Sequence, residues 1–326
     1  MPATLSRRSG PAALLATPAR ALTVTIVAGA TISLQSYLNG RLGRQLDSAT
    51  LASTINNLVA MLAALAVVVS TRAVPRAVAR LRAAGRPPLW QFSGGLFGAA
   101  LVLVSTAAAP EVGVALLTVA VVCGSTTGSV AIDAAGLAPA GRLAVTPARL
   151  AGVALAIAAT VVGALGARSE LEPLLLGLAV AGGIGMTLQS AANGRLGQAT
   201  GEPFVASFLN SSLGLAALAV VAVVTLATRD VGALPADPAL YLGGLLGAFV
   251  VVVSLTAVQT LGVLRLGLAI VAGQTAGALV IDLVAPSPRE VVTAGTLVGV
   301  GLTLAAVVVS GRGRRPRRPR RPAPAA

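Results

Sequence analysis

The chain carries the sequence LQSYLNGRLG at residues 34–43 and the sequence LQSAANGRLG at residues 188–197. Each copy lies near the end of an apolar run that is long enough to cross a lipid bilayer. A repeat of this kind indicates a duplicated domain, and duplicated membrane domains are typical of transporters. The two segments therefore predict a membrane fold built from two related halves.

The composition is that of a membrane protein. The 326 residues are 56% hydrophobic and only 10% charged, whereas soluble domains carry about 25% charged residues. The mean hydropathy is +0.88. We therefore expect most of the chain to use lipid as its solvent.

The charged and reactive residues exclude several classes of function. The net charge is +14. Half of this excess comes from the C-terminal tail, in Arg312, Arg314, Arg315, Arg317, Arg318, Arg320 and Arg321. We therefore expect no nucleic-acid partner. The chain has no histidine and a single cysteine, Cys123, so it lacks the parts of a Cys/His nucleophile, a thiolate metal site or a disulfide framework. We expect neither an enzyme nor a bound metal or cofactor.

Ten apolar runs of about 20 residues predict ten transmembrane helices and an all-α membrane protein. Their bounds are roughly 21–40, 48–71, 88–109, 113–134 and 147–167, then 173–194, 203–228, 239–258, 262–284 and 291–311. The repeat extends through both sets of five. Its recurring pairs are Gly94 and Gly243, Gly95 and Gly244, Gly98 and Gly247, Ser105 and Ser254, Ile132 and Ile281, and Asp133 and Asp282.

An odd number of spans in each half makes the second half enter the membrane from the opposite side, which predicts a 5+5 inverted repeat. Most arginines fall on the side of the N-terminus and the tail, so the positive-inside rule predicts that both termini are cytoplasmic. The predicted parts are a cytoplasmic segment at 1–20, five-helix repeats at 21–168 and 169–311, and a disordered Arg/Pro-rich cytoplasmic tail at 312–326. We expect this tail to hold anionic lipid, at about 1 kcal/mol per arginine.

Three motifs carry a resemblance to a known family. They are Gln-x-x-x-Asn-Gly-x-Leu-Gly at 35–43 and 189–197, Gly-Gly-Leu-x-Gly at 94–98 and 243–247, and Gly-Gln at 273–274 followed by Ile-Asp at 281–282. In these the chain resembles the YdcZ-like branch of the drug/metabolite transporter (DMT) superfamily, as two five-span units fused. The resemblance implies a multi-pass inner-membrane transporter and an exporter. The chain departs from the family pattern at Ser125, which stands where the second half has Gln274, and at Ala134 and Leu283, where relatives often carry histidine.

Amide side chains inside the predicted spans are the candidate substrate-binding groups. They are Gln35, Asn39, Asn56, Gln189, Asn193 and Asn210. At 1.5 Å per residue, Gln35 lies about 8 Å and Asn56 about 12 Å below the outer end of its span, so we expect these two to face each other. Their mates in the inverted half are expected at the same depth from the cytoplasmic side. Together the two sets would line a central polar cavity.

Two alternatives to substrate binding stay open for these amides. Amides within a bilayer also join helices, at about 0.6–2 kcal/mol for each hydrogen bond. The Asn-Gly pairs at 39–40 and 193–194 are in addition a signal that ends helices.

Asp133, Asp282 and Gln274 are the candidates for coupling or gating. The two carboxylates recur near the C-terminal ends of matching spans, where the helix dipole opposes a negative charge, so each one requires a partner. A nearby arginine such as Arg142 or Arg289 would supply one. In the alternative, the carboxylates bind protons and couple transport to the proton gradient.

The sequence thus favours an inner-membrane transporter that moves a small polar or amphipathic metabolite by alternating access. A channel is a weaker candidate, because a continuous pore would need more charged or carbonyl-lined constrictions. A membrane scaffold or lipid-interacting protein stays open on the evidence of the arginine tail. The sequence leaves the substrate and the oligomeric state undecided, including a homodimer.

Overall fold

The computed structural model describes residues 17–139, 141–142, 144–164, 172–285 and 294–312, and the regular structure within them is helical, as predicted. The α-helices are α1 (Pro18–Gln45), α2 (Ala49–Ser70), α3 (Ala73–Ala84), α4 (Gly94–Val112), α5 (Val114–Ala135), α6 (Pro147–Ala164), α7 (Glu172–Thr200), α8 (Pro203–Thr228), α9 (Gly243–Val284) and α10 (Ala294–Arg312). Short 3-10 helices at Leu89–Phe92 and Pro238–Tyr241 precede α4 and α9. The predicted N-terminal segment and the arginine tail fall almost wholly outside the described residues.

Local caps determine where the first helices begin. Thr17 accepts a hydrogen bond from the backbone N–H of Arg20 at 3.4 Å at the start of α1, and Ser48 accepts one from Leu51 at 3.2 Å at the start of α2. Hydroxyl side chains are favoured at this position because they satisfy a backbone donor that the helix leaves unpaired.

The Asn-Gly pairs do not end helices, so that alternative is wrong. Helix α1 continues past Gly40 to Gln45, and α7 continues past Gly194 to Thr200. Both glycines instead permit close packing. A Cβ atom on Gly40 would lie 3.1 Å from Cγ of Pro110, and one on Gly194 would collide with the ring of Pro139. Tertiary contacts thus override the local turn propensity of the pair.

Seven helices are long and apolar enough to cross a membrane, judged by length and composition within the described residues. Six of these are α1, α2, α4 with the 3-10 turn before it, α5, α7 and α8, and the seventh is Leu266–Val284 in α9. Three shorter apolar helical stretches, Pro147–Val162, Gly243–Ser254 and Ala294–Ala306, coincide with the other predicted spans. The chain is therefore a multi-pass membrane protein, and the count of ten spans stays a prediction.

A single helix, α9, covers two predicted spans, 239–258 and 262–284. It has 42 residues, but it is not straight. Gly247 approaches Gln35 and Gly277 approaches Ala30, so both parts of α9 lie against the same stretch of α1, whereas 30 residues of straight helix would be about 45 Å long. Helix α9 therefore bends back on itself between its two predicted spans.

In the first half the matching spans are separate helices, because α4 ends at Gly113, whose φ of +82° favours glycine, three residues after Pro110. The second half has Gln259 at the position of that proline, and a glutamine keeps the helical hydrogen bond.

The two halves are packed into each other. Helix α1 lies along α9, and α7 lies along α4 and α5, while α2 packs against α8 and α6 against α10. The closest approaches recur in both halves. A Cβ atom on Gly29 would collide with the carbonyl oxygen of Ile270, and one on the matching Gly183 would collide with that of Val121. Small residues permit this contact in lipid, where helices gain no hydrophobic drive to associate.

Helix α3 was not expected, because its arginines mark the segment as a cytoplasmic loop. It follows α2 after Arg72, whose φ is 51°, and it buries Ala73 and Ala77 against Val68 and Val205. No helix stands at the matching place in the second half, where the described residues between α8 and the second 3-10 turn are not helical. Helix α3 is therefore an addition that breaks the repeat.

Candidate functional site

The first group of amides, Gln35, Asn39 and Asn56, lies in front of the N-terminus of α9 and is called the first amide cluster below. The amide nitrogen of Gln35 donates to Oδ1 of Asn56 at 3.1 Å, which confirms that these residues face each other. Asn39 and Asn56 are buried, with 3% and 4% exposure. Within the described residues, the Oδ1 atom of Asn39 has no hydrogen-bond partner.

The second amide cluster, Gln189, Asn193 and Asn210, lies in front of the N-terminus of α4. Oδ1 of Asn210 accepts a hydrogen bond from the backbone N–H of Gly95 at 3.0 Å. The Nδ2 group of Asn210 donates to Oδ1 of Asn193 and, at 3.1 Å, to the carbonyl oxygen of Ala206. Asn210 is 1% exposed, so it is satisfied as both donor and acceptor.

The glycines of the Gly-Gly-Leu-x-Gly motif leave room for the amide side chains, because they have no Cβ atom. A Cβ atom on Gly243 would collide with Asn39 and come within 2.8 Å of Asn56 Oδ1, and one on Gly94 would lie 2.9 Å from Asn210 Oδ1. Neither α4 nor α9 has a capping side chain of its own at its N-cap residue. The amides therefore occupy the position of a cap that comes from the other half of the chain.

A cavity of about 80 Å³ lies between α2, α8 and α9. Its lining consists of Ala60, Ala63, Ala64, Val67, Phe204, Ser207, Ser211, Gly247, Ala248, Val251 and Val252. None of the six predicted amides is in this lining. Gln35 lies directly behind it, because a Cβ atom on Gly247 would be 3.1 Å from the Gln35 amide nitrogen.

The sequence signal that could have found the cavity is weak. Ser207 and Ser211 are four residues apart and therefore share one face of α8. The small residues opposite them resemble ordinary packing residues of a membrane helix.

Asp282 caps a helix of the other half. Its Oδ1 accepts from the backbone N–H of Val114 at 3.1 Å, and its Oδ2 accepts from that of Ala115 at 2.6 Å. Asp282 is 3% exposed. These donors are the first N–H groups of α5, where the helix dipole favours a negative charge.

Asp133, the matching carboxylate, forms an ion pair with Arg149. Oδ2 of Asp133 lies 2.5 Å from a terminal guanidinium nitrogen of Arg149, and both side chains are buried. The expectation that Arg142 would pair with Asp133 is wrong, because its Nε donates to the carbonyl oxygen of Ala134 at 2.7 Å. Arg289, the other predicted partner, lies outside the described residues.

Gln274 lies at the close contact between α1 and α9. Its backbone carbonyl oxygen accepts a hydrogen bond from the hydroxyl of Ser33 at 2.6 Å, and the residue is 9% exposed. The bond joins the two halves near Gly29. A role of Gln274 in gating stays a prediction.

Arg195 has a contact that the sequence did not indicate. It donates from Nε to the carbonyl oxygen of Leu137 at 3.1 Å and from a terminal nitrogen to that of Gly136 at 2.9 Å. These carbonyls end α5, where a cation satisfies unpaired acceptors and the helix dipole. The second copy of the LQSxxNGRLG repeat thus places residues of an amide cluster and a helix-capping arginine on the same helix, α7.

Comparison with known proteins agrees with this architecture. A model of the family described as "Putative inner membrane exporter, YdcZ" matches the chain twice, over residues 21–162 and 174–309. No curated protein and no solved structure gave a significant match. The two matched ranges correspond to the two halves of the repeat and together cover most of the chain. The chain therefore belongs to the YdcZ family of inner-membrane exporters, within the drug/metabolite transporters, as two family units fused in one polypeptide.

Proposed function

We propose that the protein exports a small polar or amphipathic metabolite across the inner membrane by alternating access. In this proposal the ten spans form two inverted sets of five, both termini are cytoplasmic, and one half rocks against the other. The six amides of the two clusters bind the solute or control its access. The observation that carries the proposal is that amides of each half lie at the N-terminus of a helix of the other half, where Asn210 caps α4 and Asn39 and Asn56 lie against the start of α9.

This arrangement supports a rocking motion because it places polar groups at the contacts between the halves. Separation at one end would remove Asn210 from Gly95, and separation at the other would remove Asn56 from Gly243. Each separation would release amides and the first N–H groups of a helix at the same time. Helix N-termini that face the bilayer interior are a common means by which transporters bind polar groups.

The difference between the two clusters supports an alternating cycle. The second cluster is closed by the Asn210 hydrogen bonds to Gly95 and Asn193. The first retains an unpaired acceptor on Asn39. A transporter in one state of its cycle is expected to have one tight end and one looser end.

The cavity beside the first cluster supports a small and uncharged solute. At 1.5 Å per residue, Gly247 lies about 6 Å from the start of α9 and Ser211 about 12 Å from the start of α8, so both lie inside the predicted spans. No ionisable side chain is among its lining residues. Gln35 behind Gly247 and the serines of α8 would supply hydrogen bonds to such a solute.

Proton coupling, where it occurs, is assigned to Asp282. A carboxylate that accepts from two consecutive N–H groups of the other half holds the halves together, and protonation would remove acceptor capacity from one oxygen. Proton binding would then favour separation. Asp133 is the weaker candidate because it pairs with Arg149 of its own half and does not join the two halves.

The test begins with the purified protein and a panel of amino acids, nucleosides and polyols, screened by thermal shift, because a bound solute stabilises the fold by mass action. Efflux of the best radiolabelled hit from proteoliposomes follows. Gln35→Ala and Gln189→Ala should each lower the efflux rate by about tenfold, the loss expected for one hydrogen bond to the solute.

Ser190→Ala is the matched control, because Ser190 is an exposed neighbour of Gln189 whose hydroxyl bonds only its own helix in the described structure. Its efflux rate should stay unchanged. Normal efflux by both glutamine variants at equal abundance would contradict the amide assignment. A scaffold function would instead predict no efflux of any hit and loss of function when 312–326 is deleted.

A further inference from the structure

Helix α3 has an apolar stripe that the protein itself does not cover. Ala73 and Ala77 face the protein and are 0% and 1% exposed, whereas Val74 and Val78 are 46% and 38% exposed. Leu81 follows at the spacing that keeps it on the side of Val74 and Val78. A helix with one side on the protein and a neighbouring stripe of bare aliphatic residues suits the surface of a bilayer.

The residues after α3 continue this surface. Leu89 is 87% exposed and Trp90 is 37% exposed, just before α4 enters its predicted span. Tryptophan is enriched at the boundary between lipid and water, where its ring is partly apolar and its N–H reaches water. The stripe and Trp90 thus indicate that α3 lies along the interface.

The polar side of the same segment is strongly basic. Residues 72–86 contain no acidic residue and five arginines, at Arg72, Arg76, Arg80, Arg82 and Arg86. Arg76 forms an ion pair with Glu202 at 2.5 Å, and Arg80 lies against Gly201 beside it. These two arginines fasten α3 to the turn between α7 and α8.

Arg82 and Arg86 remain available for a ligand. Both are exposed, and neither forms an ion pair with any residue that the structure describes. Arg82 follows Val78 by four residues, so it flanks the apolar stripe at its edge. A guanidinium at the edge of a lipid-facing stripe stands at the level of the lipid phosphates, which it binds through paired N–H donors.

We propose that α3 is an interfacial helix that binds the phosphate groups of anionic lipids in the cytoplasmic leaflet through Arg82 and Arg86. The apolar stripe places the helix at the correct depth, and the arginines select lipids that carry a net negative charge. This site is separate from the arginine tail and independent of the identity of the transported solute. Through Arg76 and Glu202 it is connected to the start of α8, whose Phe204 lines the cavity.

Trp90 permits a direct test because it is the only tryptophan in the chain. The full-length protein is reconstituted in equal parts of phosphatidylcholine and phosphatidylglycerol. Two samples are compared: in one the phosphatidylcholine carries bromine on its acyl chains as a fluorescence quencher, and in the other the phosphatidylglycerol does. Enrichment of phosphatidylglycerol around α3 should make its brominated form quench Trp90 more strongly. Each arginine should raise local enrichment about fivefold, the ratio that corresponds to about 1 kcal/mol.

The double variant Arg82→Gln/Arg86→Gln should abolish the difference between the two quenchers, and Arg82→Lys/Arg86→Lys should retain most of it. The matched control is Arg314→Gln/Arg315→Gln, which removes the same charge from the tail and should leave quenching unchanged. Equal quenching by the two lipids in the unaltered protein would overturn the proposal. It would also be overturned if the tail variant alone removed the difference.

Discussion

The two amide clusters contain the same residue types at matching positions, but their hydrogen bonds differ. In the second cluster Asn210 bonds both Gly95 and Asn193, whereas in the first Asn56 accepts from Gln35 and Asn39 Oδ1 has no partner among the described residues. Because the side chains are the same, the difference arises from their surroundings and not from the residue types. The repeat determines which groups meet, and the conformation of the whole bundle determines which of them bond.

The two matching carboxylates, Asp133 and Asp282, also differ in their partners. Asp133 is neutralised by Arg149, while Asp282 is stabilised by the first N–H groups of α5. Within the described residues, one half thus has a buried ion pair, and the other has a carboxylate that joins the halves.

The largest effect should come from Arg149→Met. This substitution keeps the volume of the side chain but leaves the buried Asp133 without its cation, which should lower the free energy of unfolding by about 3–5 kcal/mol. Unfolding by sodium dodecyl sulfate in mixed micelles would measure it. The control is Arg142→Met, which removes an exposed arginine that bonds only a helix end in the described structure. Equal losses in both variants would contradict the assignment of Arg149 as the partner.

Alanine substitutions in the two amide clusters should have intermediate effects on stability that differ between the clusters. Asn210→Ala leaves Gly95 N–H and Asn193 Oδ1 without their partner and should cost about 1–3 kcal/mol of unfolding free energy. Asn39→Ala removes an oxygen that already lacks a partner and should cost less than about 1 kcal/mol. The same detergent titration compares the two variants. An equal or larger loss for Asn39→Ala would contradict this difference between the clusters.

A small effect on stability should come from Asp282→Asn. The amide oxygen can keep one of the two hydrogen bonds to α5, but the NH2 group cannot accept the other, so the expected loss is that of one hydrogen bond, about 1 kcal/mol. Its informative readout is efflux with and without a pH gradient. If Asp282 couples transport to protons, the gradient should stimulate the unaltered protein and Asp133→Asn but not Asp282→Asn. Full stimulation of Asp282→Asn would remove it as the coupling group.

Features that depend on helical spacing and on the repeat could be predicted from the sequence. The meeting of Gln35 and Asn56 follows from depth and periodicity, and the all-α fold follows from the lengths of the apolar runs. The cap of α4 by Asn210 and the place of the first cluster at the start of α9 could not be predicted, because they depend on which helix of the other half faces each amide. That relation has no signature in the local sequence.

Burial explains the remaining differences between prediction and structure. From the sequence, Arg149 is expected to be an exposed charge near a loop. Only the tertiary structure shows that it is buried against Asp133. The arginines of α3 indicate a loop, yet the alanines between them are good helix formers and two of them pack on α2 and α8. The charge of this segment thus concealed a helix.

The inverted relation of the two halves is the central claim, and labelling of single cysteines tests it most directly. In a Cys123→Ser background, Gln45→Cys and Gln198→Cys introduce exposed cysteines at the C-terminal ends of α1 and α7. A membrane-impermeant maleimide applied to intact cells should label residue 45 from the outside, and it should label residue 198 only after the inner membrane is permeabilised. Labelling of both residues from the same side would contradict the inverted repeat and the alternating-access mechanism that depends on it.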